Sequence, residues 1–318
     1  MSAVPGDGAM VDAPFGPMTV IVDRHAGDGR VAGEIGAVRR ALERRGLSFT
    51  MDVADAPGEV AAFAARATDE GATFLVVVGD DATIQDAVNG MFRGGPTVPE
   101  RVLGVIAANS GSDLVRSFGL PGDVEVATTH LLGTNTYPLD LMKVQYTTAG
   151  GERAIRYAHN LAEVGFHAAA TATAARLPRA LGGARRFVGF WSALARSPVR
   201  RLTVEADTRE HELSAWSVIV GNGQFADDGL RLSPRSYPGD GVLDALVFTG
   251  PRSDAYRMLP RVFRNGEHLP DPNIKELRAR IRVTVDADRP MPLVLDGVPV
   301  GTTPVTFQVV PQGLRLKL

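Results

Sequence analysis

The stretch FLVVVGDDATIQDAVNGM (residues 74–91) joins a buried strand directly to a helix. Its first five residues are all apolar, which is typical of a strand covered on both faces in a parallel sheet. The small-residue turn GDDAT (79–83) comes next, and the helical pattern begins near Ile84. Amide groups at such a junction lie at the carboxyl edge of the sheet, where α/β proteins bind phosphate-bearing ligands. The alternative is a turn with a structural role alone.

The sequence on both sides repeats this alternation of strand and helix. Helical patterns cover residues 31–45 and 58–71. The strand-like runs are MTVIV (18–22), LSFTMDV (47–53) and VLGVIAAN (102–109). Alternation at this spacing predicts a parallel α/β domain over residues 18–135. Residues 1–17 are rich in Gly, Pro and Ala and have no hydrophobic period, so we expect a mobile tail there.

After about residue 136 the pattern changes to short strands separated by Gly, Asp and Pro. Several of these strands alternate polar and apolar residues, and ERAIRYAHNLAEVGF (152–166) looks like one longer strand. Helical patterns are confined to about 166–197 and 251–267. We therefore predict a mainly antiparallel β-sandwich domain with inserted helices over residues 136–302.

Composition narrows the class of protein. The formal net charge of −2 provides no general basic field, so we expect no nucleic-acid partner. The absence of cysteine excludes disulfides and thiolate metal sites. No apolar run approaches the roughly 20 residues of a membrane span, and residues 1–17 lack the pattern of a signal peptide. We expect a cytoplasmic protein; peripheral contact with a membrane and a homodimer both stay open.

A second polar loop follows the next predicted strand, in GVIAANSGSDLVRSFGLP (104–121). Its small residues, Asn109 to Ser112, allow a ligand to approach the backbone closely. Asp113 and Arg116 then enter a helix. Because neighbouring parallel strands end at the same edge of a sheet, this loop and GDDAT together predict a nucleotide pocket.

The order of these motifs resembles the diacylglycerol kinase catalytic family, which includes bacterial lipid kinases, ceramide kinases and sphingosine kinases and is related to the NAD kinases. The resemblance runs from about residue 18 to the end of the sequence. Eight segments carry it in the family's order: VDRHAG (22–27), GDDATIQDAVNG (79–90), AANSGSDLVR (107–116), DLMKV (140–144), NLAEVGFHA (160–168), GNGQFADDGLRLSP (221–234), DGVLD (240–244) and LDGVP (295–299).

The resemblance implies a kinase that transfers a phosphoryl group from ATP to a hydroxyl of a lipid or lipid-like acceptor, bound in a cleft between the two domains. It implies that residues 303–318 return to the first domain. Asp296 matches the family's general base, Asp81 would act beside it, and Asp81, Asp113 and Asp140 would gather near the phosphates around Mg²⁺ and water. The implied nucleotide-binding residues are Gly79, Asp80, Asp81, Ala82, Thr83, Asn109, Ser110, Gly111, Ser112 and Asp113.

The phosphate loop departs from the family's pattern. Asp80 and Ala82 stand where the family has glycine, and Val298 stands where it has a late glutamate. A carboxylate at position 80 either repels the phosphates or is bridged to them by a cation. Three functions therefore stay open: an active lipid kinase, a nucleotide- or lipid-binding protein without catalysis, and a member with a specialised non-lipid substrate or other chemistry.

Three further features have two interpretations each. The basic and apolar run 176–201 either covers the lipid entrance and meets anionic headgroups, or is an amphipathic helix packed on the β domain. His25 either touches phosphate or is a solvated loop residue. His167 faces either the cleft or a helix start.

Overall fold

The computed structural model describes residues 12–93, 95, 101–178, 181–226, 229–263 and 266–318. Residues 1–11 of the expected mobile tail lie outside the described residues, as do Asp227 and Asp228 of the GNGQFADDG segment. The chain divides into an N-terminal unit, Met1–Pro138 with Leu314–Leu318, and a C-terminal unit, Leu139–Gly313. The domain limits expected from sequence stay predictions about separately folding units.

A parallel sheet forms the centre of the N-terminal unit. Its strands are β1 Met18–Asp23, β2 Phe49–Ala54, β3 Phe74–Val78 and β4 Val102–Ile106. Their order is β2–β1–β3–β4, with every pair parallel. Arg315 and Leu316 add a further parallel pairing beside β4. All residues of β3 are buried, as their continuous apolar character predicts.

In the described part of this unit, the strands are connected or followed by the α-helices α1 Arg30–Arg44, α2 Glu59–Asp69, α3 Asp81–Met91, α4 Asp113–Ser117 and α5 Val124–Ala127. The long helix α1 turns Val31, Val38 and Leu42 inward at helical spacing. Their side chains join a core cluster with β1, β3 and β4. The core cluster fixes α1 against the sheet. Because the strands are parallel, the loops after β1, β3 and β4 all lie at the carboxyl edge of the sheet.

The C-terminal unit is mainly antiparallel, and two strands, β5 and β17, have residues in both units. Its strands are β5 Thr136–Thr147, β6 Arg153–Ala158, β7 Leu161–Gly165, β8 Arg200–Ala206, β9 Arg209–Ala215, β10 Ser217–Gly221, β11 Phe225–Ala226, β12 Leu230–Arg231, β13 Leu243–Phe248, β14 Ile274–Ala279, β15 Arg282–Ala287, β16 Pro292–Leu295 and β17 Val298–Lys317. One path of paired strands runs β14–β13–β10–β7–β16–β17, and β15, β8 and β9 continue from β17. The expected fold class is confirmed.

The described residues of the C-terminal unit include the helices α6 Phe166–Arg176, α7 Ala184–Arg196 and α8 Asp254–Phe263. The predicted helical segment 166–197 is thus two helices, since Pro178 and the pair Gly182–Gly183 interrupt the helical pattern. Two core clusters fill the unit, one among the strands and one beneath α6 to α8. Within the described part of the chain, no helix is both long enough and apolar enough to span a membrane.

One predicted strand is wrong in detail. The segment 152–166 is divided at His159 and Asn160 into β6 and β7. The amides of His159, Asn160 and Leu161 all donate to the carboxylate of Asp296. Because these amides serve a side chain rather than a neighbouring strand, regular pairing stops at this point.

Candidate functional site

Three loops meet at the carboxyl edge of the parallel sheet. They follow β1 at Arg24–Gly27, β3 at Gly79–Asp80 and β4 at Ala107–Ser112. Gly27 has a φ of +60° and lies so close to the third loop that a Cβ on it would come 2.5 Å from Cα of Ser110. The loop after β1 therefore lies beside the two loops predicted from sequence. Asp23, the last residue of β1, directly precedes it.

Asp80 caps the helix that follows it. Its carboxylate accepts hydrogen bonds from the amide and hydroxyl of Thr83, at 3.2 and 3.0 Å, and from the amide of Gly27 at 3.0 Å. Aspartate is among the residues that best satisfy the free amides of a first helical turn. The helix consequently begins at Asp81, about one turn earlier than the predicted start near Ile84.

This cap occupies backbone amides of the loop that the sequence predicts to bind phosphate. Burial raises the pKa of the Asp80 carboxyl, although its hydrogen bonds to Gly27 and Thr83 oppose that rise. A second carboxylate is close by, since the Thr83 hydroxyl also lies 3.2 Å from Oδ2 of Asp23. A phosphate can reach the amides of Gly27 and Thr83 only by displacing Asp80 or by sharing a cation with it.

Asp81 connects the two loops named by the sequence. Its carboxylate accepts hydrogen bonds from Ser112 Oγ at 2.7 Å, from the amide of Asp113 at 2.7 Å and from the amide of Leu114 at 3.2 Å. Ser112 in turn caps α4 by accepting from the amide of Val115. The N-termini of α3 and α4 are therefore held together by one carboxylate, which favours a fixed geometry for the loop between them.

The rest of the second loop is strained and partly open. Ala108 and Asn109 have φ values of +46° and +62°, a region that costs non-glycine residues energy. Asn109 is exposed and donates to Glu34 at 3.3 Å, while the carbonyl of Ser110 accepts from Arg30 at 3.2 Å. Gly111 and Ala82 are half-buried on this side of the unit. Consecutive left-handed residues at the end of a buried strand are typical of a loop shaped for a ligand.

Asp140, in the C-terminal unit, accepts hydrogen bonds from the turn before β13 and from β17. One carboxylate oxygen accepts from the amide of Gln312 and the other from the amide of Gly241, both at 2.7 Å. The side chain of Asn222 donates to the carbonyls of Asp140 and His159. The family-like segments DLMKV, GNG and DGVLD thus meet through hydrogen bonds between side chains and backbone groups.

Asp296 lies at the hairpin turn between β16 and β17. It and Gly297 have φ values of +45° and +80°, as a tight hairpin turn requires. The side chain is fully buried and accepts from three successive amides, His159 to Leu161, at 2.9 to 3.0 Å. Nδ1 of His159 also lies 3.0 Å from it. The role of general base requires contact with an acceptor hydroxyl, and that role stays a prediction.

Two of the carboxylates predicted to gather around Mg²⁺ are engaged in hydrogen bonds within the protein. Among the described residues, no group of three or more His, Asp or Glu side chains is placed to hold a metal ion. The carboxylates of Asp81 and Asp140 already accept protein N–H or O–H groups on both oxygens. Direct coordination of Mg²⁺ would require these oxygens to use their remaining lone pairs or to lose a protein donor. A metal-binding role for Asp81, Asp113 and Asp140 stays a prediction.

The two histidines of interest lie in different surroundings. His25 is exposed, with Nε2 3.0 Å from the carbonyl of Asp55. His167 is in the first turn of α6, with Nδ1 2.8 Å from Ser217 Oγ and its ring against Trp216. Burial, with a smaller contribution from nearby His268, lowers the pKa of His167 to about 3. His167 is therefore a neutral packing residue.

Sequence reasoning missed Asp23 and Gly27 as parts of the site. It also missed that Asp80 is a cap, although the signal was present: aspartate followed three residues later by Thr83 at the start of a helix. In the C-terminal unit it did not foresee a cavity of about 210 Å³ next to α6 and α7. Its lining includes the apolar residues Trp216 and Met291 and the basic residues Arg196 and Arg200.

Comparison with known proteins covers both halves of the chain. Residues 17–144 match the family model described as the diacylglycerol kinase catalytic domain, and residues 160–318 match the YegS C-terminal NAD kinase beta sandwich-like domain. A probable lipid kinase YegS-like protein of Cronobacter sakazakii is 25% identical over 88% of this chain and 89% of its own. The probable lipid kinase YegS of Shigella flexneri is 24% identical over 87% and 88%.

Solved structures agree in fold. A diacylglycerol kinase from Bacillus anthracis superimposes with a TM-score of 0.68 at 15% identity, covering 95% of this chain and 96% of that one. A second diacylglycerol kinase structure from Bacillus anthracis superimposes with a TM-score of 0.74 at 17% identity. It covers 95% of this chain and 96% of that one. At these identities the likeness concerns the fold alone.

Proposed function

The chain belongs to the diacylglycerol kinase catalytic-domain family, and from this premise we propose that it transfers the γ-phosphoryl group of ATP to a hydroxyl of a lipid or lipid-like molecule. The observation that carries the proposal is the junction made by Asp81 between the loops after β3 and β4. The hydrogen bonds of Asp81 hold the two loops together although Asp80 and Ala82 stand where the family has glycine. This supports a phosphate-binding role for the loops.

In the proposed reaction the acceptor's O–H bond breaks, its oxygen forms a bond to the γ-phosphorus, and the bond from that phosphorus to the β-phosphate oxygen breaks, releasing ADP. The amides at the start of α3 and the loop Asn109–Ser112 bind and orient the phosphates. Asp81 keeps these two elements in register. Asp296 takes the proton in this proposal, and to do so its carboxylate must exchange one of its present donors for the acceptor hydroxyl.

The cavity beside α6 and α7 supports an acceptor with an apolar part. Its volume of about 210 Å³ is smaller than the roughly 300–1,000 Å³ of sites that enclose a drug-sized molecule. It therefore fits one segment of an acyl chain better than a whole lipid. Trp216 and Met291 supply the apolar wall for such a segment.

A second candidate function is binding without catalysis, and Asp80 is the observation that favours it. Its carboxylate holds the amides of Gly27 and Thr83 from within the protein, where a nucleotide phosphate would otherwise bind. If Asp80 cannot be displaced, the N-terminal unit keeps the family's fold and loses the family's phosphate site.

The test is transfer of labelled phosphate from ATP to a panel of hydroxyl-bearing lipids in mixed micelles, alongside water-soluble alcohols. We expect labelling of at least one lipid, lost in Asp81→Asn because the loop junction loosens. Asp123→Asn is the matched control, since Asp123 caps α5 in the same unit by accepting from the amide of Val126. Folded protein that binds ATP and labels no member of the panel would contradict the kinase proposal and favour the second candidate.

A further inference from the structure

His159 is a buried histidine that the proposed reaction has not used. Its imidazole is fully buried, as is the carboxylate of Asp296, and Nδ1 lies 3.0 Å from Oδ2 of that carboxylate. Three backbone amides donate to the same carboxylate: that of His159 to Oδ2, and those of Asn160 and Leu161 to Oδ1. A carboxylate offers about four lone-pair positions. These four nitrogens therefore surround the oxygens that an acceptor hydroxyl has to reach.

Asp296 itself is held in place at the turn between β16 and β17. Its amide donates to the carbonyl of Leu161 at 2.9 Å, so the turn is bound to residues 159–161 through its backbone as well as through its carboxylate. The φ of +45° at Asp296 belongs to the same tight turn. Because the carboxylate is fixed, an acceptor hydroxyl has to come to it and take the place of one of the four nitrogens.

The segment that carries the three amides is held from its other side. The carbonyl of His159 accepts from the side chain of Asn222 at 2.7 Å, and the carbonyl of Asn160 accepts from the amides of Asn222 and Gly223, both at 2.9 Å. A Cβ on Gly223 would overlap Oδ1 of Asn160, so the two segments are in close contact. The amides therefore stay on Asp296, whereas the imidazole of His159 can leave it by rotation about its side-chain bonds.

We propose that His159 is a gate on Asp296: its imidazole covers the carboxylate until an acceptor hydroxyl takes its place, and it thereby keeps water away from the base. The gate rests on the proposed function. Water is the acceptor that a kinase must exclude, because its O–H group can react as that of an alcohol does. An acceptor with further contacts to the protein supplies binding energy to displace the imidazole, and a water molecule does not. His159 is in this way a specificity-determining residue.

Hydrolysis of ATP without any acceptor tests the gate. In that reaction an O–H bond of water breaks and Asp296 takes the proton, the water oxygen bonds to the γ-phosphorus, and the bond to the β-phosphate oxygen breaks, releasing ADP and phosphate. In His159→Ala water can reach the carboxylate, so we expect hydrolysis to be at least about fivefold faster than in the native chain. The gain should disappear when Asp296→Asn is added, because that change removes the base.

His268→Ala is the matched control. His268 is also fully buried in the C-terminal unit, but its Nε2 lies 3.1 Å from the carbonyl of Leu232. This variant should leave hydrolysis unchanged. His159→Asn is the conservative variant, and it should give a smaller gain than His159→Ala because its side-chain N–H group can take the place of Nδ1. Circular dichroism and calorimetric ATP binding check that each variant is folded, and His159→Ser replaces the alanine variant if that one does not fold.

A gain in hydrolysis separates a gate from a structural role, since loosened packing lowers activity. If the native chain labels a lipid and His159→Ala hydrolyses ATP no faster than the native chain, the gate is wrong and the kinase proposal stands. An equal gain in His268→Ala, or a gain that persists with Asp296→Asn, also overturns the gate. If the folded variants bind ATP, none hydrolyses it and the native chain labels no lipid, the proposed function fails and the gate fails with it.

Discussion

Asp80 shows how a single side chain can accept the hydrogen bonds of amides in a loop that the sequence predicts to bind phosphate. In the family's pattern a glycine leaves the amides at this turn available, whereas here the carboxylate accepts from both Gly27 and Thr83. The substitution is favourable for the helix, since aspartate is a strong N-cap, and unfavourable for an anion that needs the same donors. Stability of α3 and affinity for phosphate therefore compete at one position.

Asp80→Gly should expose this competition. We expect it to increase ATP affinity at least about tenfold, because one repelling carboxylate is removed and two amides are released. Glycine at an N-cap costs only a few tenths of a kcal/mol, so folding should be almost unaffected. Titration calorimetry with and without Mg²⁺ measures the affinity.

Asp123→Gly is the control for that measurement, because it removes an equivalent cap from α5 without touching the three loops. Unchanged ATP affinity in Asp80→Gly would show that the carboxylate does not compete with the nucleotide. Tight binding by the native protein that depends on Mg²⁺ would show that a cation bridges Asp80 and phosphate instead.

At the scale of elements, the β16–β17 hairpin is built around one buried carboxylate. Asp296 receives three successive amides that would otherwise face a dry interior without an acceptor. Asp207, in the turn between β8 and β9, receives three successive amides of Arg280 to Arg282 in the same way but at the surface. The pair separates the effect of the hydrogen bonds from the effect of burial.

Asp296→Ala should lower the free energy of unfolding by at least about 3 kcal/mol, because buried donors lose their acceptor. Asp207→Ala should cost about 1 kcal/mol, since water replaces the carboxylate there. Urea unfolding followed by circular dichroism measures both. A variant Asp296→Ala that is as stable as the native chain would mean that the residue is free to serve catalysis alone.

Elements differed in how far their sequence predicted them. The apolar run of β3 and the turn after it predicted the parallel sheet and the position of the turn between β3 and α3, because both depend on neighbouring residues. The division between β6 and β7 depends on Asp296, which is more than a hundred positions away, so no local pattern at His159 indicates it. The hydrophobic period of α7 predicted a helix, but a period does not tell which face a neighbour covers.

The predicted site residues divide in the same way. Gly79 to Thr83 and Asn109 to Asp113 lie on adjacent loops of one unit, where motif order and sheet topology suffice. The motif could not predict that the Asp80 carboxylate accepts hydrogen bonds from within the protein. A motif gives residue types, and it does not give the hydrogen-bond partner of each oxygen atom.

At the scale of the whole molecule, each unit contains histidine that is costly to protonate. Burial lowers the pKa of His130 to about 4, with Lys317 adding to the effect, and burial lowers that of His167 to about 3. The pKa of an unfolded histidine is about 6.5. Above about pH 6.5 the neutral buried histidines do not lower the free energy of unfolding. Below that pH the unfolded chain binds protons that the folded chain does not bind, so the folded state becomes less stable.

We therefore expect the free energy of unfolding to fall as the pH decreases from about 6.5 towards 4, by up to about 1.4 kcal/mol per pH unit for each such histidine. Urea unfolding at about pH 7.5 and about pH 5 measures the slope. His130→Gln should flatten the slope of the N-terminal unit and His167→Gln that of the C-terminal unit. An unchanged slope in both variants would assign acid sensitivity to other groups.

The last residues of the chain complete a sheet made from its first third. Arg315 and Leu316 pair with β4, Leu316 is buried, and the amine of Lys317 is buried and donates to the carbonyl of Asn135. During translation the ribosome makes β4 long before it makes these partners. The edge of β4 therefore lacks its partner strand until the C-terminal unit has been synthesised. An unpaired strand edge can pair with other chains. An interrupted message would thus yield a fragment that aggregates, so expression of this protein should depend on chaperones that shield nascent chains.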